Sequence, residues 1–227
     1  HIHDRRQRQM CIRDRLGRNM KRVTLHGSDL SDFPEHQESG YVKLLFPRTV
    51  KDVDRNTKKD YDLRSYTIRA FDSKKLELVL DFLLHGDSGP ASKWATSVKK
   101  GETIEIAGPG AAILASEEAD WYLFAGDMTA LPAIAVNLEK LHHQSKGLAL
   151  IEINSLEDKQ ELIKPKELEV KWILNPNPLA GCNKLIEALG NVQWQGKKPY
   201  AWVAGEFDLM RFACLLYTSP SPRDGHQ

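Results

Sequence analysis

Apolar positions between Met20 and Ile106 fall in short runs that do not repeat at helical spacing. Met20–Leu25 and Tyr41–Phe46 are rich in Val, Leu and aromatic residues, and the turn formers Gly27, Ser28, Asp29, Pro34 and Gly40 separate them. Leu63–Phe71 alternates, and Leu76–Leu84 is mostly apolar. The pair Asp72-Ser73 and two lysines between them read as a hairpin turn. Thr103–Ala107 is a further short strand. Strands of this length and spacing predict a small antiparallel barrel. Arg48–Asp62, charged and poor in apolar residues, predicts a long exposed loop.

From about Ala119 the pattern changes. Trp121–Ala125 reads as a buried strand, followed by Gly126-Asp127 and a helical segment to His143. Leu148–Ile153 and Leu168–Leu174 are strands, Asn183–Gly190 a helix, and Tyr200–Ala204 a strand leading through Gly205-Glu206 to a helix from Phe207. Strands alternating with helices predict a parallel, doubly wound sheet. The expected order is a barrel over residues 16–116 and an α/β domain over residues 117–213, with no internal repeat.

The two ends change the charge reading. Residues 9–15 read QMCIRDR and residues 214–219 read CLLYTS. One short oligonucleotide translates as the first, and its reverse complement, in another frame, as the second. That oligonucleotide resembles a transposase adapter used in sequencing libraries. Residues 1–15 and 214–227 are therefore set aside as translated adapter. The chain has 32 basic and 31 acidic residues. The ends hold six of the former and three of the latter, so the remainder carries 26 and 28, a net charge of −2. A nucleic-acid partner, which favours a basic chain, loses its support. Cys11 and Cys214 fall in the ends, and Cys182 alone supports neither a disulfide framework nor a zinc site. With 41% hydrophobic and 28% charged residues and no apolar run long enough to span a bilayer, a cytoplasmic globular protein is expected.

Three motifs carry chemistry. Arg64-Ser65-Tyr66-Thr67-Ile68-Arg69 lies on a predicted strand, with Arg64, Tyr66 and Ile68 on one face and Ser65, Thr67 and Arg69 on the other. An arginine, an aromatic ring and a hydroxyl at that spacing suit a phosphate, a planar ring and a ring nitrogen. A half-exposed strand with salt-bridged arginines has the same pattern. In His85-Gly86-Asp87-Ser88-Gly89-Pro90-Ala91-Ser92-Lys93-Trp94, the glycines make a tight turn and Pro90 suits the first helical position. The helix N-terminus that follows suits a pyrophosphate, or is a plain junction capped by Ser88. Ala125-Gly126-Asp127-Met128-Thr129-Ala130-Leu131-Pro132 falls where the first α/β strand meets its helix, the expected place of a dinucleotide phosphate. It lacks the full G-x-G-x-x-G spacing, and a capped turn is the alternative. His142-His143 reads as the cationic end of a helix, with no third ligand for a metal.

Taken in order, these motifs with KLLFP (Lys43–Pro47) and WVAGE (Trp202–Glu206) resemble the siderophore-interacting, ferric-siderophore reductase family of the ferredoxin-reductase-like superfamily, over residues 20–213. The resemblance implies an FAD-binding barrel of Greek-key order followed by an NAD(P)-binding α/β domain. It places Arg64 towards the flavin phosphate, Tyr66 against the isoalloxazine and Thr67, the catalytic candidate, near N5, with Ser65 beside them. It wraps His85, Asp87, Gly89, Pro90, Ala91, Ser92 and Trp94 around the FAD pyrophosphate and adenine side. Gly126, Asp127, Thr129 and Pro132 would line the NADPH or NADH site, and Glu206 would face the nicotinamide region. Glu152, after the second α/β strand, tilts the donor towards NADH.

The implied function is reduction of flavin by NAD(P)H and then of siderophore-bound Fe(III) to Fe(II), by a monomer without membrane or nucleic-acid partner. Ferredoxin is an alternative donor, a reductase with a non-iron acceptor an alternative enzyme, and a siderophore carrier without turnover an alternative from another class. The family continues past Ala213 with a helix and a strand, and native sequence before Leu16 is absent. The first barrel strand is therefore expected to be incomplete and sheet edges open.

Overall fold

The computed structural model describes residues 5–48, 61–84, 89–177, 184–205 and 207–218. The chain divides into two compact units, His1–Leu114 and Ala115–Gln227.

The first unit is built from β1 (Arg5–Arg15), β2 (Met20–His26), β3 (Tyr41–Pro47), β4 (Tyr61–Asp72), β5 (Glu77–Leu83) and β6 (Thr103–Gly110), with helix α1 (Pro90–Ser97) between the last two. The strands close into an antiparallel barrel in the order β1-β2-β5-β4-β3-β6, a Greek-key arrangement. Closure comes from β1, which pairs with β2 on one side and β6 on the other. This corrects the expectation of an incomplete first strand and an open barrel edge. Residues 5–15, set aside on sequence grounds, complete the seam through backbone hydrogen bonds. Such bonds place few demands on side-chain identity.

Alternation fills the interior. Val23, Leu25, Val42, Leu44, Ile68, Leu78, Leu80, Phe82 and Ile106 form one buried cluster, joined by Ala91, Ala95 and Val98 of and after α1. The turn before β5 ends at Leu76, which has a positive φ of 54° and stands outside the strand predicted to begin there. β4 begins at Tyr61, so the last two residues of the predicted loop are strand. Asp62 there accepts from Arg48 Nε and Nη2 at 2.9 and 2.8 Å; residues 49–60 lie outside the described residues. Arg22 and Asp81 face each other across β2 and β5 as a bidentate pair, both bonds 2.7 Å, with the Asp81 side chain buried.

The second unit contains β7 (Trp121–Gly126), α2 (Leu131–Lys140), β8 (Gly147–Ile153), β9 (Leu168–Leu174), α3 (Lys184–Gly190), β10 (Pro199–Ala204) and α4 (Phe207–Thr218). All strand pairs are parallel, in the order β10-β7-β8-β9. The sheet is covered on both faces. Trp121, Leu123 and Ala125 pack with Leu185 and Leu189 of α3 and Leu209 and Ala213 of α4. Gly126 faces α2, as the nearness of Ala130 and Ile134 to its open side shows. Every residue of β7 is buried, which its unbroken apolar run already suggested.

α2 stops at Lys140, short of the predicted His143. Leu141 takes an extended conformation after donating to Asn137, and His142 and His143 sit in the turn that leads to β8. The helix-dipole role expected for the two histidines therefore does not apply. No helix among the described residues is long and apolar enough to cross a membrane.

Candidate functional site

In the barrel the candidate residues lie along β4. Ser65 pairs with Lys43, Tyr66 with Val42 and Thr67 with Tyr41, so Tyr66 belongs to the inward row and Ser65 and Thr67 to the outward one. The Tyr66 ring lies 4.2 Å from Phe82, Phe82 is 5.5 Å from Trp94, and Trp94 is 6.1 Å from Phe46. This aromatic chain fixes α1 against the strand that carries Arg64 and Thr67. The structure thus links Tyr66 and Trp94 through the Phe82 ring. Burial pushes the Tyr66 phenol up to about 12, and the Arg64 guanidinium opposes that rise. Arg64 is exposed, and its Nη1 donates to the Leu63 carbonyl at 2.9 Å.

Helix α1 begins with Gly89 as its N-cap and Pro90 at its first position, and Gly89 has no side chain with which to cap it. Its first internal bond runs from Lys93 N–H to Gly89 O at 3.1 Å, so the amides ahead of Lys93 have no intrahelical acceptor. Gly89 is extended, with φ −172°, a conformation open to any residue. A Cβ at Gly89 would meet nothing within 4 Å. Neither backbone nor packing requires glycine there, and open space beside the first residue of a helix suits an anion. Ala91 and Ser92 are buried, Ala91 against the barrel core. His85 and Asp87 lie outside the described residues, as does Ser88, the cap considered from sequence.

In the α/β unit the candidates gather at the carboxyl ends of β7 and β10, where Gly126 pairs with Ala204 and the strand order reverses. The Asp127 carboxylate turns back on its own helix. Its Oδ1 accepts from Thr129 N at 2.8 Å, Thr129 Oγ1 at 2.6 Å and Ala130 N at 3.2 Å. The capped turn, one of the two readings open from sequence, is therefore present. Gly126 is glycine for packing: a Cβ would stand 2.5 Å from Ala130 Cβ and 3.0 Å from the Ala204 carbonyl. Thr129 is exposed and Pro132 is buried in the first turn of α2. Glu206 and Cys182 lie outside the described residues.

Glu152, near the end of β8, is buried. Burial raises its pKa, with Asp127 adding to the rise, while the Asn175 side chain, the Leu185 amide and Lys184 oppose it. The carboxyl is engaged with Asn175 and the start of α3 and is not displayed as an exposed ribose ligand. A carboxyl whose folded pKa is raised stabilises the fold most below the ordinary carboxylate range and loses that contribution as pH rises through the raised value. Glu152→Gln is therefore expected to raise the melting temperature of the α/β unit near about pH 8 and to leave it unchanged near about pH 4. Thermal melts of both proteins at the two pH values check this. Among the described residues no group of three His, Cys, Asp or Glu side chains is placed to hold a metal ion.

The arrangement is an antiparallel barrel whose helix α1 starts at a glycine with open space beside it, followed by a doubly wound sheet whose strand order reverses between β7 and β10. It defines the two-domain ferredoxin-reductase-like class. Residues 9–113 match the siderophore-interacting FAD-binding domain, and residues 119–213 match the siderophore-interacting protein model. The chain belongs to the siderophore-interacting protein family. It is 34% identical over 173 residues to the ferric vibriobactin reductase ViuB of Vibrio cholerae, covering 71% of this chain and 64% of that protein. The NADPH-dependent ferric-chelate reductase of Escherichia coli is 25% identical over 207 residues, with 85% of this chain and 78% of that protein covered. The crystal structure of a siderophore utilization protein from T. fusca superposes with a TM-score of 0.84 at 28% identity, over 97% of this chain and 90% of that one.

Proposed function

We propose that the chain is an FAD-dependent reductase that draws electrons from NADPH or NADH and delivers them to siderophore-bound Fe(III). The observation that carries this reading is the start of α1. It is fronted by a glycine that the fold does not need, and tied through Trp94 and Phe82 to the strand of Arg64, Tyr66 and Thr67. When bound, FAD would accept one hydride, a two-electron unit, and release electrons singly, which couples a two-electron donor to a one-electron metal.

Each residue of the chain has a matching task. Arg64, charged and exposed, holds the flavin phosphate, and the first turn of α1, from Gly89 and Pro90 to Ala91 and Ser92, receives the pyrophosphate. Tyr66 presents an aromatic face to the isoalloxazine. Its phenol, raised to about 12, stays protonated across the working range and acts as a hydrogen-bond donor, not a base. Thr67, on the outward row with Ser65, offers a hydroxyl to the flavin edge at N5. His85, Asp87 and Trp94 complete the adenine side.

In the α/β unit, Thr129 and the crevice at Gly126 and Asp127 receive the nicotinamide dinucleotide, with Pro132 shaping the helix start and Glu206 facing the nicotinamide. The ferric chelate is substrate. Iron leaves after reduction because Fe(II), with its lower charge, suits hard oxygen donors less well. The protein works as a cytoplasmic monomer, where NAD(P)H is supplied.

The test is anaerobic reduction of the FAD-loaded chain by NADH, NADPH or a reduced ferredoxin, followed by reoxidation with a panel of ferric siderophores. Bleaching by one donor and reoxidation much faster than in buffer are expected. A preparation that cannot be loaded with FAD would sink the reading, and reoxidation unaffected by any ferric chelate would leave a reductase with another acceptor.

A further inference from the structure

Lys21 is only 7% exposed, and a lysine so deeply placed needs partners for its amine. It continues the inward row of Val23 and Leu25 along β2 and is the cross-strand partner of Phe82. Its Nζ donates to the Ala95 carbonyl of α1, 74 positions away in sequence. Ala95 O lies among the last four carbonyls of the helix, where backbone partners run out and the helix dipole favours a cation. Its neighbours are met locally: Ser92 O by Thr96 Oγ1 and Trp94 O by Val98 N, both at 2.8 Å.

The bond completes a clamp. Asn19, two residues before Lys21, accepts at its carbonyl from Leu84 N at 2.7 Å. Residues 19–21 thus hold the chain at Leu84 and again at Ala95, and the run between those anchors is the one assigned to the pyrophosphate and adenine side. Helix α1 has eight residues, and isolated helices shorter than about 12–15 are marginal, so its neighbours must hold it. Ala91 and Ala95, with Val98 just after the helix, set which face is buried. Such apolar contacts are non-directional and define the position along the helix axis poorly. A hydrogen bond to one carbonyl is directional and defines it well.

Resting on the reductase reading above, we infer that Lys21 is a positioning residue of the FAD site: from the far end of α1 it fixes where the first turn meets the pyrophosphate. It touches no part of the ligand. Its effect is confined to the groups α1 receives and does not extend to the ring beside Tyr66.

Titration of the apo full chain with FAD, and displacement of FAD by ADP, test this. ADP carries the pyrophosphate and adenine without the flavin. Lys21→Met keeps the apolar stem and loses the donors, and is expected to weaken FAD and ADP by the same factor, roughly three- to tenfold. The fluorescence quenching of bound flavin, which reports the ring against Tyr66, should be unchanged at saturation. Lys21→Arg is expected to restore both affinities to within about twofold, because it keeps charge and donors. A cavity of about 300 Å³ lined by Lys21, Leu84, Thr96, Asp14 and Arg15 gives the larger side chain room. If Lys21→Met does not fold, Lys21→Gln keeps a polar group there, one atom too short for the carbonyl, and should show the same pattern.

A loss of FAD affinity without loss for ADP, altered quenching, no change in either affinity, or no rescue by arginine would each overturn the inference and leave the reductase reading intact. Failure of the wild type to bind FAD, or of ADP to displace it, would overturn the inference together with the reading of α1 on which it rests.

Discussion

Replacing Gly126 by valine is expected to remove about 4 kcal/mol from the α/β unit, much of a stability that for a domain is only about 5–15 kcal/mol. The added Cβ would stand 2.5 Å from Ala130 Cβ, 3.0 Å from Ala204 O and 3.2 Å from Ile134 Cδ1. The Ala130 contact fixes how closely α2 approaches β7, and the Ala204 contact is a carbonyl of the neighbouring strand. Neither can move aside by a change of rotamer, so helix or sheet must shift. Urea unfolding followed by tryptophan fluorescence checks this, because Trp121, Trp172, Trp194 and Trp202 all lie in the α/β unit. The barrel has its own core and should retain FAD, while NAD(P)H oxidation is lost. Loss of FAD binding together with unfolding in a single unshifted transition would contradict a packing role confined to that unit.

The barrel strands and the α/β alternation were legible because both depend on local periodicity. Val23, Leu25, Val42 and Leu44 alternate along the strands they fill, and Trp121–Ala125 is apolar without a break, as a strand buried on both faces must be. The barrel closure through Arg5–Arg15 was not legible. Backbone pairing sets that strand, and its composition pointed to an origin outside the fold.

At the site, the motifs located the correct junctions without revealing how their side chains are used. Asp127-x-Thr129 before a helix is an Asx-cap pattern as much as a phosphate pattern, and only the fold shows the Asp127 carboxylate bonded to Thr129 and Ala130. Glu152 lies within β8 and not after it as expected, and its surroundings depend on Asn175 and Leu185, which are distant in sequence. The bond from Lys21 to Ala95 joins residues 74 positions apart and left no local signal. Gly89 and Gly126 looked alike as motif glycines. The structure separates them, since a side chain at Gly126 would collide with the fold and one at Gly89 would project into open space.

That separation gives the cofactor site its sharpest test. Arg64→Ala is expected to weaken FAD binding roughly ten- to hundredfold, the effect of losing one or two charge-assisted hydrogen bonds at about 1.5–3 kcal/mol each. The stability of the apo-protein should change by less than about 0.5 kcal/mol, because Arg64 is exposed and its one described bond is to the adjacent Leu63 carbonyl. Arg64→Lys keeps the charge and loses the planar fork, so its affinity should fall between the two. Gly89→Ala should behave like Arg64→Ala: its Cβ meets no protein atom within 4 Å, so the apo-protein melts unchanged while the space before α1 narrows. Flavin fluorescence titration and thermal melts of the apo-proteins measure both effects. If FAD affinity falls only as far as apo-stability does, Arg64 and Gly89 are parts of the scaffold. If affinity falls alone, the open start of α1 and the Arg64 strand hold the same ligand from two sides.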